Sequence, residues 1–132
     1  LPLLSKGYQV SAYEINNEAI NAINLAAKEQ EFGNKVKAVA RNLKNNPLTF
    51  LELDKFDAIV IDPPRTGAQS QFINIAKSEV TVIISISCNI NSFIKDGKIL
   101  FENNYELKWV KPIDQFLFTQ HIELVGLFQL RS

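Results

Sequence analysis

The chain has 132 residues, enough for one ordinary domain and too few for two. Hydrophobic residues make up 46% and charged residues 21%, which excludes a disordered polar chain, and one cysteine excludes an internal disulfide or a cysteine metal cage. Lys and Arg (14) balance Asp and Glu (14), and this zero net charge speaks against autonomous nucleic-acid binding, because phosphate contacts normally show as a basic excess. The lone cysteine points to a reducing cytoplasm. The apolar runs are strand-sized, so no membrane span is expected, and the N-terminus lacks the pattern of a signal peptide.

Residues 1–4 read as the end of a helix entered without a cap. Residues 8–15 alternate and are rich in strand formers, with Glu14 near the C-terminal end. Asn16 is a candidate N-cap for a helix carrying Ala19, Ile20, Ile23, Ala26 and Ala27 at helical spacing until Phe32-Gly33 stops it. A short strand over 36–40 ends at Arg41-Asn42. Residues 56–61 are apolar on both faces, as for a central parallel strand, and run into Asp62-Pro63-Pro64. A helix over 69–77 and a buried strand over 80–86 come next, the latter ending at Ser87-Cys88-Asn89. Residues 91–102 read as helix with Phe93, Ile94, Ile99 and Leu100 on its apolar side, and strands over 105–112 and 121–130 close the chain. The alternation of strand and helix predicts an α/β fold with a parallel sheet covered on both faces. The last two strands have no helix between them and should form an antiparallel pair at one edge.

Ligands of doubly wound sheets bind outside the C-terminal ends of the strands, and Glu14, Asn42, Asp62 and Cys88 all fall there. A carboxylate in the position of Glu14 can accept two hydrogen bonds from a ribose diol, although a solvated strand-end acid is the commoner case. Asn42 can bond an adenine edge or simply make a turn. Asp62-Pro63-Pro64-Arg65-Thr66-Gly67 is sharper: two prolines fix an extended exit and glycine allows a tight turn, giving a rigid corner with one carboxylate and one guanidinium. Cys88 stands just after an apolar strand and just before a helix, whose N-terminus favours a thiolate. Most lone cysteines are inert core residues, but this one lies at the strand end and not inside the apolar run. His121 and Glu123 alternate onto one face, where either could act as a general base, with His121 taken alone better read as structural. The aromatic loop 114–119 lines a base-stacking pocket or caps the core.

Asp62-Pro63-Pro64-Arg65-Thr66-Gly67, Ser87-Cys88-Asn89, and Asp114-Gln115-Phe116 through His121-Ile122-Glu123 together resemble the RNA uracil-5-methyltransferase family, which includes the bacterial 23S rRNA and tRNA m5U enzymes. The resemblance implies S-adenosylmethionine as cofactor, RNA as partner and a cysteine adduct at uracil carbon 6. It makes Cys88 the nucleophile and Glu123 the base that removes the carbon 5 proton. Glu14 would hold the ribose of the cofactor, Asn42 would approach its adenine, and Asp62 would line the junction of cofactor and target base. Arg65 and Asn89 are candidate substrate contacts, with a loop-holding role left open for Arg65. No metal is implied. The loop ending Asp114-Gln115-Phe116 favours ribosomal over transfer RNA. Two departures stand out: the family commonly continues its cysteine motif as Asn-Pro-Ala-Thr with an Arg-Asp pair further on, whereas this chain has Asn89-Ile90-Asn91-Ser92 and Lys95-Asp96.

The family's glycine-rich cofactor loop and the strand before it should lie just ahead of Leu1, after an RNA-binding domain and, in some members, an iron–sulfur cluster. Residues 1–132 are therefore expected to form one partial, Rossmann-like SAM-dependent methyltransferase domain: mostly parallel, with an antiparallel C-terminal edge pair, truncated at the N-terminus. The first strand would sit between those ending at Glu14 and Asp62, so its absence leaves two open inner edges suited to self-association or a complementing chain. Such a chain is expected to be inactive alone. Two other readings remain: a non-catalytic Rossmann-like remnant that pairs with another chain, and a SAM methyltransferase of another class, such as an amino-methylating enzyme with a similar Asp-Pro-Pro corner.

Overall fold

The computed structural model describes residues 9–14, 17–29, 36–114 and 122–131. The helix end over 1–4, the cap Asn16, the Phe32-Gly33 stop, loop residues 115–119 and His121 lie outside the described residues. The chain divides into two compact units, residues 1–46 and 47–132, and each is described by itself. Among the described residues no helix is long and apolar enough to cross a membrane.

The first unit is a strand–helix–strand element: β1 (Val10–Glu14), α1 (Asn17–Glu29) and β2 (Val36–Ala40). β1 and β2 pair in parallel, Val10 opposite Val36 and Glu14 opposite Ala40, and the Arg41 amide extends the ladder to the Glu14 carbonyl at 2.9 Å. Ile20 is the buried anchor of α1.

The second unit contains α2 (Phe50–Leu53), β3 (Ala58–Ile61), α3 (Gln69–Lys77), β4 (Val82–Ser87), α4 (Ile90–Phe101), β5 (Tyr105–Asp114) and β6 (Ile122–Leu130). The sheet order is β3-β4-β6-β5, with β3 and β4 parallel and β6 antiparallel to both its neighbours. The two C-terminal strands thus pair as the missing crossover helix predicts, and the later strand takes the inner place. The single turn α2 is absent from the periodicity reading, although Thr49 and Glu52 announce it. The Thr49 hydroxyl accepts the Glu52 N–H, and the Glu52 carboxylate accepts the Thr49 N–H, each at 3.2 Å.

Phe72, Ile75, Val80, Ile83, Leu100, Tyr105 and Phe128 form the core, each about 2% exposed or less. Each such side chain contributes roughly 1.5–3 kcal/mol on leaving water. The polar groups among them are satisfied. The Tyr105 hydroxyl donates to the Val80 carbonyl at 2.6 Å, and the Gln71 amide pairs with both backbone groups of Leu48 at 2.8 and 3.0 Å.

Among the described residues β3 pairs on one side only, with β4, and Val60 is 54% exposed, which is the open inner edge expected at the strand that ends at Asp62. One expectation needs correction. Ile94, placed on the apolar side of α4, is 59% exposed. The buried stripe runs through Phe93, Asp96 and Leu100, and Ile94 lies about 100° away from Phe93.

α4 lies unusually close to β6. A Cβ at Gly126 would stand 2.5 Å from the Phe93 ring, and one at Gly97 would stand 3.1 Å from Phe128. The two rings meet at 6.1 Å, tilted by 41°. Gly126→Ala is expected to lower unfolding stability by about 1–3 kcal/mol through overpacking, read by urea denaturation. An unchanged midpoint would mean that the Phe93 ring moves aside freely.

Candidate functional site

The corner begins where β3 ends. Asp62 is exposed, Pro63 is buried, and Pro64, Arg65 and Thr66 are exposed. The Gly67 N–H closes the turn onto the Pro64 carbonyl at 2.8 Å, and Gly67 itself adopts φ +88°, in the left-handed region that a side chain disfavours. Space is limiting too, because a Cβ there would stand 3.0 Å from the Asp96 carboxylate.

The cysteine turn begins where β4 ends. Ser87 is buried, and its hydroxyl donates to the Asn89 carbonyl at 2.9 Å and accepts the Asn89 N–H at 3.2 Å. Cys88 between them is exposed. Asn89 caps α4, its side-chain oxygen accepting the N–H groups of Asn91 and Ser92 at 2.9 and 3.4 Å. The helix therefore keeps a capped start with Ile90 in its first position.

Corner and turn are joined directly. The Arg65 carbonyl accepts hydrogen bonds from the Ser92 hydroxyl at 2.7 Å and the Asn89 amide at 3.2 Å. Further along the corner, the Ala68 N–H donates to the Asp96 carboxylate at 3.1 Å. The parallel register, Ile61 opposite Ser85, brings both strand ends to the same edge of the sheet.

Glu123 arrives from the far end of the chain. β6 pairs with β4 so that Leu124 lies opposite Ser87, and one step beyond that pair stand Glu123 and Cys88. On its other side Glu123 pairs with Ile113 of β5, and it is half-buried. The second unit thus gathers Asp62, Arg65, Cys88, Asn89 and Glu123 at one end of one sheet.

Glu14 and Asn42 belong to the first unit. Glu14 is exposed at the C-terminal end of β1. Asn42 lies just past β2, and its side-chain oxygen accepts the N–H groups of Lys44 and Asn45 at 3.1 and 3.4 Å. That is the turn use which the sequence left open beside adenine recognition. Asn89 likewise spends its side chain on the α4 cap and the Arg65 carbonyl. Ser87, Ser92 and Asp96 have no role in the sequence reading, although Asn89, Ser92 and Asp96 recur at i, i+3 and i+7 and so share one side of the helix.

Burial raises the pKa of the Asp96 carboxylate, and the hydrogen bond from Ala68 partly offsets this. The folded chain therefore holds the proton more tightly than the unfolded one. Its contribution to stability is fully present below the ordinary carboxylate value of 3.8 and is lost as pH rises through the higher folded value. Asp96→Asn is expected to remove this fall, so the stability difference between variant and parent should grow in the variant's favour from about pH 4 upward, measured by chemical denaturation across pH. A difference independent of pH would show that Asp96 titrates as in the unfolded chain.

Comparison with known proteins places the chain in a class. Residues 5–131 match the tRNA (Uracil-5-)-methyltransferase family. An uncharacterized RNA methyltransferase of Caulobacter vibrioides is 42% identical over 125 residues, covering 95% of this chain and 30% of the relative. One from Halalkalibacterium halodurans is 31% identical over 131 residues, covering 98% of this chain and 29% of the relative. The Pyrococcus abyssi tRNA (uracil-54, C5)-methyltransferase, solved in complex with S-adenosyl-L-homocysteine, superposes with a TM-score of 0.81 at 24% identity, over 96% of this chain and 30% of that one. A geranyl diphosphate C-methyltransferase from Streptomyces coelicolor superposes at 0.71 with 10% identity, covering 99% of this chain and 66% of that one, which is a likeness of fold alone. The chain belongs to the tRNA (uracil-5-)-methyltransferase family, and its fold is that of Rossmann-like SAM-dependent methyltransferases. It spans about 30% of the length of the curated relatives it matches.

Proposed function

We propose that residues 1–132 are part of the catalytic domain of an enzyme that methylates carbon 5 of a uridine in RNA through an adduct with Cys88. The observation that carries this reading is the turn at Cys88: an exposed thiol beside Asn89 and Ser92, which donate to the Arg65 carbonyl of the Asp62–Gly67 corner, with Glu123 one register step beyond the last β4–β6 pair. Family membership supports the substrate class.

Uracil carbon 5 is a weak nucleophile, and the proposed residues address that in order. The Cys88 thiolate adds to carbon 6, forming a carbon–sulfur bond and pushing the ring electrons into an enolate whose carbon 5 is nucleophilic. S-adenosylmethionine supplies, when bound, an electrophilic methyl group for carbon 5. The Glu123 carboxylate then takes the proton from carbon 5, and the electrons of that carbon–hydrogen bond restore the double bond as the Cys88 sulfur leaves. Asp62 and Arg65 present opposite charges from the corner toward cofactor and base, and Asn89 fixes the turn that carries the thiol. The donor set for the cofactor fits at the level of chemistry: Glu14, an exposed strand-end carboxylate, suits a ribose diol, and Asn42 offers an amide near the end of β2.

Near-zero net charge supports a division of labour in which most phosphate contacts belong to other parts of the relatives' length. The open side of β3, with Val60 exposed, supports pairing with a further strand from a complementing segment or a second copy.

Mixing the protein with S-adenosylmethionine and 5-fluorouridine-substituted RNA tests the mechanism, because fluorine at carbon 5 cannot leave as a proton and the adduct persists. The isolated chain is expected to give no adduct by intact mass. Joined to the N-terminal portion of a full-length relative, it is expected to give one at Cys88, absent from Cys88→Ala. Glu123→Gln should lower turnover by about 10²–10⁴-fold and accumulate a methylated adduct with ordinary uridine. The first substrate is 23S rRNA, on the loop ending Asp114-Gln115-Phe116, with tRNA alongside. Trapping of tRNA alone would overturn that preference, and no adduct with either in the joined form would sink the cysteine mechanism.

A further inference from the structure

Three residues on the cap and first two turns of α4 reach the same short stretch of chain. Asn89 and Ser92 both donate to the Arg65 carbonyl, at 3.2 and 2.7 Å, and the Asp96 carboxylate accepts the Ala68 N–H at 3.1 Å. Their spacing of i, i+3 and i+7 lays them along one face of the helix. Ser92 and Asp96 are 8% and 4% exposed, and their two bonds are partly buried, whereas the Asn89–Arg65 bond lies at the surface. Every partner on the corner is a backbone atom, and the side chains of Asp62, Arg65 and Thr66 remain exposed.

Asp96 is an odd choice for mere stapling. Burial opposes its charge, and one N–H compensates only in part. A neutral amide of the same shape would leave no ionised group to desolvate, at the cost of a weaker hold on the Ala68 N–H than a carboxylate gives. A carboxylate retained in that situation, beside a turn carrying an exposed thiol, belongs to a place where position matters more than stability.

We propose that Ser92 and Asp96 are positioning residues that hold the corner in a fixed relation to the Cys88 turn, so that Asp62 and Arg65 are presented in register with the thiol. The purpose of that register rests on the methyltransferase reading, whereas the grip itself is independent of it. A corner that shifts against the cysteine turn changes the surroundings and solvent access of the exposed thiol, and alkylation reads that change.

The test uses this chain, whose only cysteine makes alkylation by iodoacetamide readable as a single mass increment. In Ser92→Ala the Gly67 and Ala68 amides are expected to exchange hydrogen about tenfold faster, with those of the β4–β6 ladder unchanged. The alkylation rate of Cys88 should change by about threefold or more, and Ser92→Thr should restore both rates. Asp96→Asn keeps the shape, and it should speed exchange at Ala68 and alter the alkylation rate without lowering the melting temperature. Rates within about twofold of the parent in both Ser92→Ala and Asp96→Asn would overturn the proposal, as would failure of Ser92→Thr to restore them. Equal loosening of the ladder and the corner, with a lower melting temperature in both variants, would reduce the two residues to support of the fold. Local loosening as expected, together with no 5-fluorouridine adduct in the joined form, would keep the grip and reject the methyltransferase reading.

Discussion

Strand β6 enters the sheet between β4 and β5, and the arrangement of the second unit depends on that insertion. It places the last part of the chain, Glu123 included, beside the strand that ends at the cysteine turn. The insertion needs room. Gly126 on β6 provides it, since the Phe93 ring of α4 occupies the space a side chain would fill, and Gly97 on α4 leaves room for Phe128 in turn. Close approach of helix and strand fixes where α4 starts, and the start of α4 holds the corner. Packing in the middle of the sheet therefore determines geometry at its end.

Much of this was legible in the residues. The strands and the longer helices are set by hydrophobic period, and the antiparallel final pair by the missing crossover helix between 105–112 and 121–130. What periodicity cannot carry is position within a sheet. The apolar run of β3 looks the same whether or not a second neighbour is present, and its open side is expected from the family resemblance and not from the run itself. The exposure of Ile94 is a miss, since one residue of offset on a helix turns a side chain by about 100°.

The candidate site divides the same way. Side chains that end strands, such as Asp62 and Cys88, stand out because each lies at the close of an apolar run. Residues that act on backbone atoms, such as Ser92 and Asp96, leave no such mark, because their partners are carbonyl and amide groups common to every residue. The Thr49–Glu52 capping box shows that such signals are readable when both ends are side chains with a known spacing. Asn89 falls between these cases: its type suits a cap, yet its bond to Arg65 crosses 24 residues of sequence.

The grip on the corner has a consequence for how such a site can change. Because Asn89, Ser92 and Asp96 grasp only main-chain atoms, the side chains at positions 65 and 66 take no part in the hydrogen bonds holding them in place. Those two positions are thus interchangeable parts on a fixed mount. A lineage, or an engineer, can vary these exposed groups while the frame that carries them stays still.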